Sequence, residues 1–218
     1  MTANSLRDLL DLSVVVDPTY DQNCYVLHRR DTDLCLVVDP GLQHPALLQH
    51  LERHGLRCER ILLTHGHGDH CSGVPAVRAA HRCPAAINSG DRFLLPFVAM
   101  LPGVPDDLPE VECDEDLNAG EVLHWQGVDL QVLATPGHTP GSVCLLLGSD
   151  LLAGDTLFRR SVGRTDLPGG DWGTLMASIQ GTLYSLEPET VVRPGHGPTT
   201  TIAEEMRANP FAVHPRYR

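Results

Sequence analysis

The chain has 218 residues, a formal net charge of -12 at pH 7 and an apolar content of 42%. This length suits a compact domain with a sizeable core, and the apolar content excludes a fibrous or disordered chain. The negative charge argues against non-specific binding to nucleic acid or to anionic lipid. All 16 basic residues are arginine, so chemistry that needs a P-loop lysine or a Schiff-base lysine is excluded as well.

Cysteine usage and the N-terminal sequence predict a cytoplasmic protein. The seven cysteines are odd in number, scattered along the chain and free of Cys-x-x-Cys pairs, which argues against a disulfide framework and favours a reducing compartment. The first eleven residues lack an apolar core of signal-peptide length. No apolar run approaches the roughly 18 residues that cross a bilayer. We therefore expect no membrane partner.

The first half of the chain predicts short strands and then strands that alternate with helices. Strands are expected at residues 13–16, 24–28, 34–38, 61–63 and 85–87, because each is short, β-rich and bounded by polar turns. Leu47, Leu48 and Leu51 follow helical spacing, and helices are also expected at 73–80 and 91–100. Residues 102–113 are rich in proline and acidic residues, which predicts a surface loop; a lid over a substrate is the alternative.

The second half predicts two hairpins, a long helix, a strand and a short final helix. The hairpins pair 122–125 with 130–133 and 143–147 with 151–153; the later elements are expected at 172–186, 190–193 and 202–208. Strand clusters in both halves are followed by helices, so two sheets packed face to face with helices outside would satisfy the order. The sequence contains no linker, and we interpret residues 1–218 as a single domain.

Four side chains of the kind that bind metals lie within six residues, directly after the predicted buried strand at 61–63. Gly66 and Gly68 lie between the first three and permit a tight turn that aims several donors inward. Imidazole and carboxylate suit zinc, iron or manganese, and the absence of cysteine argues against a purely structural zinc site. The four are His65, His67, Asp69 and His70.

Three further turns each place one such side chain after an apolar strand, flanked by glycine or proline. They carry His138, Asp155 and His196. One turn of this kind alone is a weak indication, whereas four together are a strong one. The other seven histidines lie outside such turns, and we interpret them as surface or locally hydrogen-bonded residues.

These turns resemble the metallo-β-lactamase superfamily, and within it the glyoxalase II-like group of hydroxyacylglutathione hydrolases. The resemblance covers nearly the whole chain and is carried by residues 64–70, 136–142, 154–158, 163–170 and 195–197. It implies an α/β fold of the αββα sandwich type, with the site at one edge of the sheets. It also implies a short form that lacks the C-terminal helical substrate domain of longer glyoxalase II enzymes.

The resemblance implies two divalent metal ions, zinc in the first place and iron or manganese as alternatives. His65, His67 and His138 would bind one ion, Asp69, His70 and His196 the other, and Asp155 would bridge both. Asp69 and Asp155 would be the catalytic residues of a hydrolase in which a metal-bridging hydroxide attacks a thioester, S-lactoylglutathione or a related acyl-thiol. A thiolate leaving group, with a pKa of about 8.5, needs little help to depart.

Two alternative functions and the roles of three arginines stay open at this point. A mononuclear-iron persulfide dioxygenase has the same fold, and a non-catalytic metal-binding scaffold would use the same turns. Arg159 and Arg160 are candidates to bind an anionic thiol substrate. Arg164 is expected to form a buried ion pair with Asp166 that holds its loop, with substrate binding as the alternative. The sequence indicates no oligomeric state.

Overall fold

The computed structural model describes residues 9–42 and 44–214. The chain divides into two compact units, Met1–Ile87 with Arg92–Leu117, and Asn88–Asp91 with Asn118–Arg218. Each unit is built on a six-stranded sheet. The expectation of a single domain over 1–218 stays a prediction.

The sheet of the first unit combines an antiparallel half with a parallel half. The first three strands run antiparallel to one another, and the next three pairings are parallel. In spatial order the strands are β1 (Leu10–Asp17), β2 (Gln22–Arg29), β3 (Leu34–Val38), β4 (Arg57–Leu62), β5 (Ala85–Ile87) and β6 (Glu115–Asp116). The strands predicted in this part of the chain are confirmed.

Parallel neighbours need crossover connections, and helices provide them. Helix α1 (His44–Arg53) lies between β3 and β4 in the chain and buries Leu47 and Leu51, as their spacing predicts. The short helix α2 (Gly68–Cys71) and the helix α3 (Val74–His81) lie between β4 and β5. The predicted helix at 91–100 is a 3₁₀ helix over Ser89–Met100. Pro96 lies inside it and cannot donate the hydrogen bond that a regular α-helix needs there.

The sheet of the second unit is antiparallel apart from the β10–β13 pair. Its strands, in spatial order, are β14 (Thr200–Thr201), β13 (Val191–Pro194), β10 (Asp150–Gly154), β9 (Val143–Leu147), β8 (Val128–Ala134) and β7 (Val122–Trp125). Strands β11 (Leu157–Phe158) and β12 (Ser161–Val162) form a separate hairpin. Both predicted hairpins are confirmed. Gln126 and Gly127 have φ values of 50° and 78°, which suit a two-residue type I′ turn.

The predicted helix at 172–186 forms in three pieces. Helix α4 (Trp172–Ala177) continues into a π-helical turn at Ser178–Thr182 and a 3₁₀ turn at Leu183–Ser185. Leu175, Ile179 and Leu183 are buried in the core of this unit. A π-helical turn contains more residues than an α-helical turn, so residues four apart stay on nearly the same side of the helix. Leu175, Ile179 and Leu183 can therefore all face the core. The final helix, α5 (Ile202–Ala208), has the predicted bounds.

No helix within the described residues is long and apolar enough to cross a bilayer. None of the seven cysteines is disulfide-bonded. Cys71, which follows the first motif directly, is a buried core residue.

A buried carboxylate, Glu205 on α5, joins several segments of the second unit. It accepts hydrogen bonds from Thr200 Oγ1 at 2.6 Å, from the backbone N–H of Arg160 at 2.9 Å and from Asn209 Nδ2 at 2.8 Å. Glu205 is fully buried. A buried carboxylate needs such donors, and the donors in turn need the carboxylate. The network therefore fixes the chain around Arg160 to α5.

We expect Glu205→Ala to lower the free energy of unfolding by about 2–4 kcal/mol, because it leaves buried donors without an acceptor. Chemical denaturation measures this loss. Arg207→Ala, at an exposed position of the same helix, serves as the control and should cost less than about 1 kcal/mol. Equal losses in the two variants would contradict a structural role for the network.

Candidate functional site

The four ligand-type residues of the first motif lie together at the carboxyl end of β4. The ring centroids of His65 and His67 are 4.9 Å apart, and those of His65 and His70 are 4.2 Å apart. Asp69 Oδ2 lies 3.8 Å from His70 Nε2. His65 and His70 are buried, whereas the Asp69 side chain is 16% exposed. The motif thus gathers three imidazoles and a carboxylate in one turn.

Asp39, which the sequence analysis missed, supports this turn from the end of β3. Its carboxylate accepts hydrogen bonds from Thr64 N at 2.7 Å, Thr64 Oγ1 at 2.6 Å and His70 Nδ1 at 3.0 Å. Its φ of 54° lies in the left-handed region, which aspartate tolerates better than most residues. Ligand atoms of Asp39, His65 and His70 lie within 4.8 Å of one another, a spacing that could hold a metal ion. Both Asp39 oxygens, however, already accept hydrogen bonds from Thr64 and His70. We therefore interpret Asp39 as a positioning residue rather than a ligand.

The hydrogen bonds around Asp39 also determine the tautomers of two histidines. A carboxylate can only accept, so His70 must carry its proton on Nδ1. Thr64 Oγ1 donates to Asp39 and therefore accepts from His65 Nδ1, 3.1 Å away. In both rings the lone pair is left on Nε2, the atom that a neutral imidazole offers to a metal.

Two of the three predicted ligands of the second unit, both histidines, lie next to one carboxylate oxygen of the third. Asp155 Oδ2 lies 3.6 Å from His138 Nε2 and 3.5 Å from His196 Nε2. Both distances are too long for good hydrogen bonds. Two ligands that each lie about 2.1 Å from a shared cation at a tetrahedral angle are about 3.4 Å apart. The spacing therefore fits an oxygen that shares a cation with each imidazole.

His138 is oriented by a backbone carbonyl. Its Nδ1 donates to Arg164 O at 2.7 Å, so Nε2 carries the lone pair here too. The loop that carries His138 is held by Asp91, a fully buried carboxylate that accepts from Thr139 Oγ1 and from Gly141 N, both at 2.6 Å. Asp91 was missed because nothing in its local sequence distinguishes it, and its partners are about fifty residues away.

Gly163 allows the 163–166 stretch to pass close to the bridging candidate. A Cβ at this position would lie 1.9 Å from the backbone oxygen of Asp155, well inside any permitted contact. The Arg164 carbonyl that orients His138 follows immediately. Glycine at 163 is therefore needed for the approach of this loop.

The prediction of a buried ion pair between Arg164 and Asp166 is wrong about its burial. The pair forms and is bidentate, at 2.7 and 2.8 Å, but the side chains are 61% and 68% exposed. Since an exposed pair contributes little stability, the carbonyl of Arg164 rather than its side chain orders the loop. Arg159 is exposed, and Arg160 is tied to Glu205 through its backbone and to Ala208 O through its side chain at 3.2 Å. Their role in substrate binding stays a prediction.

We expect Asp39→Asn to lower metal affinity about 10–100-fold, because the amide cannot accept all three hydrogen bonds and no longer fixes His70. Metal content after dialysis against a buffered chelator measures the effect. Asp33→Asn, an exposed aspartate beside the same strand, is the matched control and should keep its metal. Full retention in the Asp39 variant would rule out the positioning role.

We expect Gly163→Ala to lower the melting temperature by several degrees, since the new methyl group must displace the Asp155 backbone. Gly181→Ala is the control, because a Cβ there meets nothing within 4 Å. It should leave the melting temperature unchanged or raise it slightly. A Gly163 variant as stable as the Gly181 variant would show that the close approach can relax.

Comparison with known proteins gives consistent matches over nearly the full chain. The family described as the metallo-beta-lactamase superfamily matches residues 17–196. A curated relative, the hydroxyacylglutathione hydrolase GloC of Haemophilus influenzae, is 33% identical over an alignment of 211 residues that covers 93% of this chain and 98% of the relative.

Solved structures agree with this result. The BLEG-1 B3 metallo-beta-lactamase superposes with a TM-score of 0.85 at 36% identity and covers 93% of this chain and 100% of its own. TTHA1623 in a di-iron-bound form gives 0.81 at 36% identity, covering 91% and 99%. ETHE1 from Myxococcus xanthus gives 0.78 at 29% identity, covering 92% and 83%. The predicted fold class is confirmed, and the chain belongs to the metallo-β-lactamase superfamily.

Proposed function

We propose that this protein is a metal-dependent thioester hydrolase that holds two divalent ions. The observation that carries the proposal is the Asp155 carboxylate, whose one oxygen faces two imidazole Nε2 atoms at ligand–ligand spacing. The proposed ligands are His65, His67 and His138 for one ion, Asp69, His70 and His196 for the other, and Asp155 for both.

The donor set fits such ions. His65, His70 and His138 each have Nδ1 bonded to a protein acceptor, which leaves Nε2 for a metal. Imidazole and carboxylate without thiolate suit zinc, iron and manganese. We propose zinc first, while the similarity to a di-iron-bound structure supports iron as the alternative.

When bound, such ions supply Lewis-acid chemistry that polarises a carbonyl oxygen and lowers the pKa of water towards about 7. Asp69 is the partly exposed carboxylate of the first motif, so it can orient an attacking water and hold its proton. The buried residues Asp39 and Asp91 keep the loops in place during the reaction. The thiolate leaves without a general acid, because its pKa of about 8.5 makes it a good leaving group.

A small-molecule acyl-thiol such as S-lactoylglutathione is the proposed substrate class. The similarity to a hydroxyacylglutathione hydrolase supports it. Arg159 and the outer face of Arg164 are exposed and could contact an anionic thiol carrier, whereas the Arg160 side chain is engaged with Ala208 O. Arg164→Ala tests this role, because substrate binding predicts a rise in KM with an unchanged melting temperature.

The experiment that tests the proposal compares thioester hydrolysis with two other reactions. The persulfide dioxygenase reaction is the alternative that the sequence resemblance leaves open, and the similarity to a B3 metallo-beta-lactamase favours examining β-lactam hydrolysis. Metal analysis of the purified protein comes first. S-lactoylglutathione, a chromogenic cephalosporin and glutathione persulfide with an oxygen electrode are then compared as substrates.

Two metal ions per chain with thioester hydrolysis as the fastest reaction is the expected result. One iron per chain with oxygen uptake would replace the proposal with the dioxygenase. Preferential cleavage of the cephalosporin would replace it with a lactamase. No turnover of any substrate by metal-loaded protein would leave a non-catalytic binding module.

We expect Asp155→Ala to lower kcat/KM for the thioester by about a thousandfold or more and to reduce metal content, because it removes the shared ligand. Asp129→Ala, an exposed aspartate on β8, is the control and should behave like the wild type. Chelation should abolish turnover in the wild type, and added zinc, iron or manganese should restore it. Normal activity in the Asp155 variant would overturn the ligand assignment.

A further inference from the structure

Three cysteine thiols lie side by side across the sheet of the first unit. Cys35 on β3 and Cys58 on β4 are register partners. Cys83, in the segment between α3 and β5, has its Sγ 3.7 Å from Sγ of Cys58. All three are buried, and none is disulfide-bonded. The cluster thus contains a pair of thiols in direct contact.

Cys83 also lines an open surface pocket of about 510 Å³. Arg78 and Arg82 contribute cationic groups to it, and Asp114 contributes one carboxylate. Arg78 is paired with Asp114 at 2.7 Å, whereas the exposed Arg82 guanidinium makes no ion pair within residues 9–42 and 44–214. Arg78 also lies 3.7 Å from a Glu112 carboxylate oxygen, so its charge is compensated, and the Arg82 guanidinium is the group that favours a small anionic ligand in this pocket.

The two thiols in contact differ in acidity. The Cys83 thiol donates to Cys58 Sγ, and the Cys58 thiol donates to the Arg60 carbonyl at 3.4 Å. The hydrogen bond between the two sulfurs lowers the pKa of Cys83, and the Arg78 guanidinium acts in the same direction, against burial and Asp114. Hydrogen bonds with Cys35 and Cys83, followed by burial, raise the pKa of Cys58. Cys83 is therefore the better nucleophile, and Cys58 stays protonated behind it.

The thiols lie at the opposite end of β4 from the candidate metal ligands. Cys58 stands near the start of the strand and His65 follows its end, seven residues later, or about 23 Å along an extended chain. The cluster is therefore a separate feature, and its role does not rest on the proposed hydrolase function.

We propose that Cys83 and Cys58 form a redox-active pair that reacts with an anionic low-molecular-weight disulfide bound in the arginine-lined pocket. The Cys83 thiolate attacks one sulfur of the reagent, which forms a mixed disulfide and releases one thiolate. Cys58 then gives its proton to the departing sulfur as its own sulfur attacks Cys83 Sγ, which forms the Cys58–Cys83 disulfide, breaks the mixed disulfide and releases the second thiol. The protein loses two electrons, and the reagent is reduced to two thiols.

The local structure permits this bond. A disulfide needs a sulfur separation of about 2.05 Å, so the sulfurs must approach by roughly 1.7 Å. The segment that carries Cys83 already lies beside β4, since Ile61 N donates to Pro84 O at 2.9 Å. The approach therefore needs side-chain rotation more than backbone movement.

The test uses the full, metal-loaded chain and the dianionic reagent 5,5′-dithiobis(2-nitrobenzoate). The wild type should release two thionitrobenzoate ions from this site, and peptide mapping should find a disulfide between Cys58 and Cys83. In Cys58→Ala the reaction should stop at a stable mixed disulfide on Cys83. Cys83→Ala should form neither that mixed disulfide nor the protein disulfide. Cys35→Ala is the matched control and should still form the disulfide.

The charge of the pocket is tested with Arg82→Glu. Reaction with the dianionic reagent should slow about three- to tenfold, while reaction with the neutral reagent 4,4′-dithiodipyridine should change little. Equal slowing with both reagents would mean that the pocket does not select anions.

The wild type alone provides a decisive measurement if a variant folds poorly. A first adduct on Cys58 or Cys113, a disulfide between Cys35 and Cys58, or a lasting adduct on Cys83 in the native wild type would each overturn the proposal. Thermal melts of every variant, compared with the wild type, show whether a lost reaction reflects lost structure.

Discussion

An imidazole ring offers a lone pair to a cation only if its other nitrogen holds the proton, and this constraint governs the candidate site. His65, His70 and His138 meet it in three ways, through a hydroxyl, a carboxylate and a backbone carbonyl. None of these acceptors is itself one of the predicted ligands. The chemistry of the site therefore depends on turns that surround it, as outer hydrogen bonds generally orient metal ligands.

Buried carboxylates hold these turns through hydrogen bonds, and glycines allow neighbouring backbone segments to pack too closely for any larger residue. Asp39 collects three donors in the first unit, and Asp91 collects two in the second. A Cβ at Gly141 would lie 2.7 Å from Asp91, and one at Gly163 would touch the Asp155 backbone. Such tight packing keeps side chains in one geometry before any ligand arrives, which is what a catalytic centre requires.

The first unit carries two kinds of chemistry on one strand. The carboxyl end of β4 leads into imidazoles and carboxylates, whereas its beginning carries a thiol beside an arginine-lined pocket. Hard oxygen and nitrogen donors suit divalent cations, while a paired thiol suits exchange with disulfides.

Most of the strands and the ligand-type turns could be predicted from the sequence because they depend on local patterns, and the resemblance carried by those turns implied the superfamily fold. Residues 65–70 show a dense motif, and 202–208 show a short helix whose bounds are confirmed. Only the tertiary structure revealed Asp39, Asp91 and the Cys58–Cys83 contact, since their partners lie some 25 to 50 residues away in the chain. The tertiary structure also showed that the Arg164–Asp166 pair is exposed. Burial depends on how the surrounding loop packs, and the residue types next to the pair do not predict that packing.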